Sequence, residues 1–205
     1  MTSVRLCIFL MMFAVQSQSQ SMESLSESMR ERLKTLVPGF GAFGFNSNTG
    51  STNTNILLSS KSAILVKYSD DFYYLFARYD LDPMGSNFTY LQSVLSKIKV
   101  LVIKHSLEDE GSTEIFEHIP DWVKTFQSTH SVIFDNVSLQ DMTSVTSLKL
   151  RYLGILHGHV EDVQPLIEAI SSIKTLEFLM YKSVFTSDDI EELNEKCPEL
   201  ITLRY

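Results

Sequence analysis

Apolar residues recur at a common spacing through the last third of the chain. Two groups follow an i, i+3, i+5 pattern, and a third group follows a close version of it. Corresponding leucines, Leu148, Leu176 and Leu203, are separated by nearly equal intervals. A regular period of roughly 20–45 residues, with one strand and one helix in each unit, is typical of a repeat solenoid. The groups are Val145, Leu148 and Leu150, then Ile173, Leu176 and Phe178, then Cys197, Leu200, Leu203 and Tyr205.

Strand-like and helix-like patterns alternate from residue 88 onward. Short apolar runs predict strands at 99–104, 131–135, 146–150, 175–181 and 200–205. Helical spacing predicts helices within 88–98, 113–127, 160–172 and 187–196, the second of them broken near Pro120. Upstream, the apolar runs 63–68 and 72–79 flank the turn residues 69–71 and predict a hairpin, although the second run also fits a helix.

The short strand–helix–strand connections require parallel strands with right-handed crossovers. Helices on one face would give the curved sheet of a solenoid, whereas helices on both faces would give a doubly wound α/β domain. The nearly equal intervals between corresponding leucines favour the solenoid. Because such an array needs a capping element, we expect residues 24–36 or a partner to cover the edge formed by the strand at 200–205.

The helix over 187–196 has a well-marked start. Thr186 stands three residues before Asp189, which predicts a capping box. The acidic residues Asp188, Asp189, Glu191 and Glu192 lie in the first turns, where the helix dipole favours negative charge. We therefore interpret them as a solvated helix start and not as a metal or acid–base site.

Residues 185–203, FTSDDIEELNEKCPELITL, resemble the cysteine-containing leucine-rich repeats of F-box/leucine-rich-repeat proteins. The unit of that family runs as a strand, a Thr-Asp pair, a helix and then Cys-Pro-x-Leu-x-x-Leu. The resemblance implies an α/β fold built as a short leucine-rich-repeat-like solenoid with an irregular N-terminal part. It also implies that Leu200 and Leu203 both point into the helix–strand core. The matching residues are Thr186, Asp188, Ile190, Leu193, Cys197, Pro198, Leu200 and Leu203.

In that family the repeats recruit a substrate to a ubiquitin ligase, while the F-box contacts the ligase adaptor. Residues 22–62 contain one short helix and a low-complexity run, and we find no F-box there. The resemblance therefore implies the protein-binding half of the family's function. A substrate-recruiting adaptor that has lost its F-box is an alternative.

The chain divides into four segments on composition. Residues 1–17 have the pattern of a signal peptide, with Arg5 before a ten-residue apolar run and Val15 and Ser17 at the cleavage positions. Residues 18–37 hold a short amphipathic helix, 38–62 form a Gly-, Ser- and Asn-rich linker, and 63–205 form the repeat-like domain. The apolar run within residues 1–17 is too short to span a membrane, and no other run approaches the roughly 20 apolar residues that a membrane-spanning helix needs.

The predicted signal peptide makes secretion the expected location, with the cytoplasm as the alternative if the segment is not functional. Asn87 and Asn136 each begin a glycosylation sequon, which would be used only in the secretory pathway. If residues 1–17 are removed, Cys197 is the remaining thiol, since the other cysteine is Cys7. We expect Cys197 to be a small buried core residue.

The composition excludes several classes of partner. The chain has 205 residues, 44% of them hydrophobic, and a formal net charge of −8. An acidic chain without a long basic run is poorly suited to the phosphates of nucleic acid or of an anionic membrane surface. The length fits one domain with an ordinary core.

The motifs of common enzyme sites are absent from the sequence, which has no phosphate-binding loop, no G-x-S-x-G and no C-x-x-C. One short pattern is compatible with a metal site: His157, His159 and Asp162 follow a strand-like run and could serve as three ligands. The competing interpretation is a polar turn before a helix. We expect no cofactor, and a small metal-dependent enzyme is the lesser alternative.

The leading hypothesis is a non-enzymatic protein-binding module of the leucine-rich-repeat type, with an unidentified protein partner. Its recognition surface would consist of strand positions that alternate with inward-pointing residues. The predicted face is Lys149, Arg151, Glu177, Met180, Thr202 and Arg204.

Overall fold

A computed structural model of the chain describes residues 25–38, 55–85, 88–104, 107, 114–116, 119–135, 137–139, 143–156, 160 and 162–204. These residues form five α-helices, ten strands and two short 3-10 helices, Leu95–Lys97 and Asp121–Thr125. The α-helices are α1 (Glu27–Leu36), α2 (Thr89–Ser93), α3 (Thr143–Thr146), α4 (Gln164–Ser172) and α5 (Ser187–Lys196). The strands are β1 (Asn55–Ser59), β2 (Ala63–Ser69), β3 (Phe72–Arg78), β4 (Ile98–Lys104), β5 (Glu114–Phe116), β6 (Ser131–Asp135), β7 (Val137–Leu139), β8 (Tyr152–Leu156), β9 (Phe178–Tyr181) and β10 (Ile201–Arg204).

Eight of these strands form one mixed sheet in the order β1-β2-β3-β4-β6-β8-β9-β10. Strands β1, β2 and β3 pair antiparallel, and every pair from β3 to β10 is parallel. The short strands β5 and β7 form a separate parallel pair. Each strand of the main sheet therefore lies beside the one that precedes it in that sheet along the chain, as short strand–helix–strand connections require. The predicted mixed α/β fold with a mostly parallel sheet is confirmed.

One face of the main sheet, which we call the helical face, packs against α2 to α5. Apolar residues of these helices share a buried cluster with alternate residues of the strands. The period-2 alternation along each strand and the helical period of the covering elements explain this match. The helix residues in the cluster are Leu91, Val145, Leu166, Ile167, Ile170, Ile190 and Leu193.

The opposite face, which we call the α1 face, carries a second apolar cluster that includes Leu33 and Leu36 of α1. Two hydrogen bonds fix the carboxyl end of the helix: Ser131 Oγ donates to the Leu36 carbonyl at 3.0 Å, and Tyr74 Oη donates to the Pro38 carbonyl at 2.5 Å. Burial raises the pKa of the Tyr74 phenol, which keeps this donor protonated. The strand residues of this cluster are Val66, Tyr74, Val100, Val102, Ile133, Tyr152, Leu156, Phe178, Met180 and Leu203.

Several local predictions are confirmed. The hairpin forms as β2 and β3, the strand predicted at 131–135 is β6, and the helix predicted at 187–196 is α5. Thr186 caps α5 as predicted: Asp189 N–H donates to Thr186 Oγ1 at 3.3 Å, and Thr186 N–H donates to the Asp189 carboxylate at 2.7 Å. These elements are specified by signals that lie close together in the chain.

The recurrent apolar spacing proves to mark the turn that leads from a helix into the next strand. The N–H groups of Leu148, Leu176 and Leu200 each donate to the carbonyl three residues earlier, at 3.0, 3.1 and 3.0 Å. The strand predicted at 146–150 is therefore wrong, because these residues end α3 and turn, and β8 begins at Tyr152.

The nearly equal step predicted from Leu148, Leu176 and Leu203 is wrong, because the turn residue equivalent to Leu148 and Leu176 is Leu200, whereas Leu203 lies in β10. The strands do not keep an equal step either. Successive parallel strands pair in register, so equivalent positions can be followed from β4 to β10. The intervals between these positions along the chain are unequal, and the longest separates β4 from β6. The equivalent positions are Val100, Ser131, Tyr152, Phe178 and Ile201.

Two further element assignments are corrected. The helix predicted over 113–127 is strand β5 followed, after Pro120, by the 3-10 helix Asp121–Thr125. The linker predicted over 38–62 includes strand β1, which pairs with β2 at the edge of the main sheet. Polar composition led to the linker assignment, but an edge strand tolerates polar residues because one of its sides faces solvent.

The resemblance to a leucine-rich repeat placed Leu200 and Leu203 on one side of the last strand. Leu200 does lie in the helical-face cluster, whereas Leu203 packs in the α1-face cluster beside Met180. The prediction that Leu203 points into the helix–strand core is therefore wrong, because the α1 face has an apolar core of its own and Leu203 belongs to it. Residues 24–36 were expected to cover the edge strand at 200–205. The helix that they contain, α1, packs on the α1 face of the sheet.

Some predictions fall on residues that the structure does not describe. These are the signal peptide at 1–17, the sequons at Asn87 and Asn136, and the histidines His157 and His159. Within the described residues, no helix has the length and hydropathy needed to cross a membrane.

Candidate binding groove

A groove of about 1060 Å³ lies at the amino-terminal ends of β8, β9 and β10 and is bounded on one side by α1. Its walls come from four places: α1, the turns that precede the three strands, the first residues of β9 and β10, and Asn194 of α5. We call it the binding groove. The lining residues are Met29, Arg32, Lys149, Arg151, Lys174, Thr175, Leu176, Glu177, Phe178, Asn194, Pro198, Glu199, Leu200, Ile201 and Thr202.

The turns that carry the charged side chains are held to one another by the backbone. Glu177 N–H donates to the Arg151 carbonyl at 2.9 Å, and Ile201 N–H donates to the Glu177 carbonyl at 2.9 Å. Thr175 Oγ1 adds a bond of 2.6 Å to the Leu150 carbonyl. The hydrogen-bond ladder of the sheet thus extends past the strand ends and gives the groove a rigid floor.

Glu177 joins the sheet to α1 through two ion pairs. Arg151 Nε donates to Glu177 Oε1 at 2.5 Å, and Arg32 of α1 donates through Nη2 to Glu177 Oε2 at 2.6 Å. The Glu177 side chain is 22% exposed, whereas those of Arg151 and Arg32 are 42% and 57% exposed. The carboxylate is therefore sheltered between two guanidinium groups whose other faces reach solvent.

The groove has the opposite charge to the chain as a whole. Its charged residues are Arg32, Lys149, Arg151 and Lys174 against Glu177 and Glu199, a local excess of two positive charges. The complete chain carries a formal net charge of −8. A concentrated positive patch on an acidic protein is a local feature that attracts anionic groups to one place.

The apolar part of the groove consists of partly exposed side chains beside the charged ones. Met29 is 36% exposed, and Leu176 and Ile201 are half-buried at the entrance to β9 and β10. Phe178 is 1% exposed and belongs to the sheet core. An apolar floor with a basic rim is an arrangement that can hold an amphipathic segment of another chain.

Four of the six residues predicted as a recognition face, Lys149, Arg151, Glu177 and Thr202, line the groove. Met180 and Arg204 do not. The Met180 side chain is only 1% exposed, and Thr202, although it lines the groove, is only 6% exposed. The prediction that these two are exposed strand positions is therefore wrong. Arg204 is exposed but lies outside the groove.

The sheet register explains this correction. Met180 pairs with Leu203 on the α1 face, whereas Thr202 pairs with Leu179, which belongs to the helical-face cluster. In a parallel pair, partners in register point to the same side of the sheet. Met180 and Thr202 therefore lie on opposite faces and cannot form one surface.

Sequence reasoning missed Met29, Arg32 and Lys174. The i, i+3 spacing of Met29 and Arg32 places them on one side of α1, but nothing local indicates that this side borders the strand ends. Lys174 was missed because it stands just before the strand predicted at 175–181, whereas Lys149 fell within the strand predicted at 146–150.

His130 lies one strand away from the groove and is half-buried. It stands at the turn before β6, and the Arg151 N–H donates to the His130 carbonyl at 2.8 Å. The ring packs edge-on against Phe72, with centroids 5.8 Å apart, and Nδ1 is 2.9 Å from Ser131 Oγ. Burial, followed by the positive charges of Arg151 and Lys99, lowers the pKa of His130 from 6.5 to about 4.

This lowered pKa predicts a pH dependence of stability. Between about pH 6.5 and 4 the unfolded chain protonates His130 while the folded chain does not, so the free energy of unfolding falls as the pH falls through this window. We expect wild type to lose more stability than His130→Asn when urea unfolding at pH 7 is compared with unfolding at pH 4.5. Equal losses in the two proteins would contradict the assignment, and the comparison cancels the contribution of the other histidines.

The described residues contain no group of three or more His, Cys, Asp or Glu side chains placed to hold a metal ion. Of the three residues predicted as metal ligands, only Asp162 is described. It is exposed, and its carboxylate accepts a hydrogen bond of 3.1 Å from Gln164 N–H at the start of α4. Cys197 is partly buried and packs against the helical-face cluster at the end of α5.

The sequence gives no match to known protein-family models, and no curated protein is significantly similar to it. The relationship to leucine-rich repeats therefore stays a prediction from residues 185–203, and the groove is interpreted from its own geometry and charge.

Proposed function

We propose that this chain is a non-enzymatic protein-binding module of the leucine-rich-repeat type and that the binding groove is its recognition surface. The proposal rests on one observation above the others: a groove of about 1060 Å³ gathers side chains from α1, three strand-entry turns and α5. Sites built from several rigid elements hold a partner in a defined orientation.

The lining of the groove favours a segment of a protein over a small molecule. Its volume of about 1060 Å³ is near the upper end of the roughly 300–1,000 Å³ common for small-molecule pockets, so the volume does not separate the two. Six charged side chains line its walls, whereas small-ligand pockets are lined mainly by apolar and aromatic residues. Its apolar contribution comes from half-buried residues such as Leu176 and Ile201.

The arrangement of the sheet also supports a repeat-type module. Parallel strands follow one another in chain order, and α2 to α5 pack on one face, while α1 packs on the other. Each of the turns before β8, β9 and β10 contributes a charged side chain to the groove, namely Lys149, Lys174 and Glu199.

A blocking substitution tests the role of the groove without changing its basic residues. The full chain would be immobilised and incubated with extract of the cells that produce it, and Asn194→Trp would be compared with wild type. Asn194 lines the groove, so an indole there should reduce retention of a specific partner by about tenfold.

Glu195→Trp is the matched control, because Glu195 is exposed on the same helix and does not line the groove. We expect Glu195→Trp to retain the partner as wild type does. If Asn194→Trp and wild type retain the same proteins in the same amounts, the groove is not the recognition surface.

A further inference from the structure

We propose that the occupant of the groove is an acidic peptide segment in extended conformation, with carboxylates at alternate positions and apolar side chains between them. This inference rests on the proposed function and names the chemistry of the partner. It follows from the charge of the groove, the geometry of the Glu177 ion pairs and the spacing of the strands.

The charged side chains that line the groove favour an anionic partner. Four cations and two carboxylates line the groove, and Glu177 is already paired with both Arg32 and Arg151. The three paired groups together retain one positive charge. Lys149 and Lys174 are both exposed, and Lys174 Nζ has only a weak bond of 3.3 Å to the Ser171 carbonyl. A partner carboxylate would therefore meet cations that can turn toward it without breaking the Glu177 pairs.

The two arginines are held in place for such a partner. Glu177 engages Arg151 through Nε and Arg32 through a single Nη2 contact, whereas a guanidinium has five N–H donors. Because Glu177 fixes the side chains before the partner arrives, less rotamer entropy is lost on binding. Charge-assisted bonds from guanidinium to carboxylate are among the stronger hydrogen bonds in proteins.

Lys149 and Lys174 lie on the turns that precede two adjacent parallel strands, a placement that suits an extended chain. Lys149 precedes β8 and Lys174 precedes β9, and neighbouring strands are about 4.8 Å apart. Alternate side chains of an extended peptide point to one side about 7 Å apart. Flexible lysine side chains on adjacent turns can therefore contact two alternate carboxylates, while Leu176, Ile201 and Met29 contact the apolar side chains between them.

Fluorescence anisotropy with a defined probe tests this inference. The probe is a fluorescein-labelled decapeptide with Glu and Leu alternating at six central positions and Gly and Ser at its ends. The comparison peptides carry Gln or Lys in place of Glu. We expect the full chain to bind the Glu peptide saturably, to bind the Gln peptide at least tenfold more weakly, and to bind the Lys peptide not at all.

Charge reversal identifies the site on the protein. We expect Lys149→Glu/Lys174→Glu to weaken binding of the Glu peptide at least tenfold, and the milder Lys149→Gln/Lys174→Gln to weaken it less. Lys61→Glu/Lys124→Glu is the matched control, because it changes the net charge by the same amount and both lysines are exposed outside the groove. Circular dichroism of each variant checks that it is folded.

Three results would overturn the inference: no saturable binding of the Glu peptide, equal affinity for the Glu and Gln peptides, or equal weakening by Lys61→Glu/Lys124→Glu. These failures differ from failure of the proposed function. If the peptide does not bind but Asn194→Trp abolishes capture of a cellular protein, the groove recognises a partner of other chemistry. If the peptide binds but capture is insensitive to Asn194→Trp, the proposed function fails.

Discussion

Leu36→Asp is expected to detach α1 from the sheet and to lower the free energy of unfolding by about 4 kcal/mol or more. Leu36 is 1% exposed in the cluster of the α1 face, and an aspartate there would bury an unpaired charge. Its carbonyl also accepts the hydrogen bond from Ser131 Oγ. Urea unfolding followed by circular dichroism measures the change, and binding of a hydrophobic dye measures exposure of the sheet face.

Ser28→Asp is the matched control for this substitution. Ser28 is exposed in the first turn of α1, where the helix dipole favours an acidic residue. We expect its urea midpoint and dye binding to equal those of wild type. A Leu36→Asp protein with the midpoint of Ser28→Asp would show that α1 does not contribute to the folded core.

Detachment of α1 should also impair the binding groove, since Arg32 and Met29 form one of its walls. The helix therefore has two roles in this fold. It covers the apolar α1 face through Leu33 and Leu36, and it presents Arg32 to Glu177, which is distant in the chain.

Asp135→Leu is expected to lower the free energy of unfolding by about 3 kcal/mol. Asp135 Oδ2 is 3.0 Å from Lys104 Nζ at the carboxyl ends of β6 and β4, and the two side chains are only 6% and 17% exposed. Removing the carboxylate takes away one partner of a largely buried ammonium group. Urea unfolding at pH 7 measures the loss.

A double-mutant cycle separates the ion pair from packing. Lys104→Met/Asp135→Leu should cost less than the sum of the two single substitutions, because neither charge is then left buried. The exposed pair of Lys124 with Asp121 provides the control, and Asp121→Asn should change stability by less than about 1 kcal/mol. Additive costs at Lys104 and Asp135 would contradict a coupled pair.

The burial of both sheet faces explains why the proposed recognition site is placed at the strand ends. The strand residues of the helical face pack against α2 to α5, and those of the α1 face pack in an apolar cluster with α1. Polar side chains that can meet a partner therefore come from the turns before the strands, such as Lys149, Arg151 and Glu177. An interpretation based on strand alternation alone placed Met180 on this surface, although it is buried.

The sequence by itself determined the elements whose signals are local. The β2–β3 hairpin follows from two apolar runs around a polar turn, and α5 follows from its capping box and its buried Ile190 and Leu193. It also determined that the sheet is mostly parallel, because short strand–helix–strand connections permit no other arrangement. It named Lys149, Arg151 and Glu177 as exposed strand positions, whereas the structure places them in the turns before β8 and β9.

Only the tertiary structure decided which surface covers which. Periodicity indicates the apolar side of an element but not its partner, so the docking of α1 and the contribution of Arg32 to the groove could not be derived from sequence spacing. The steps between successive strands are unequal because the connections differ in content, and the longest one, between β4 and β6, contains β5 and the 3-10 helix Asp121–Thr125. The register that separates Met180 from Thr202 is set by packing of both faces at once, which no local pattern contains.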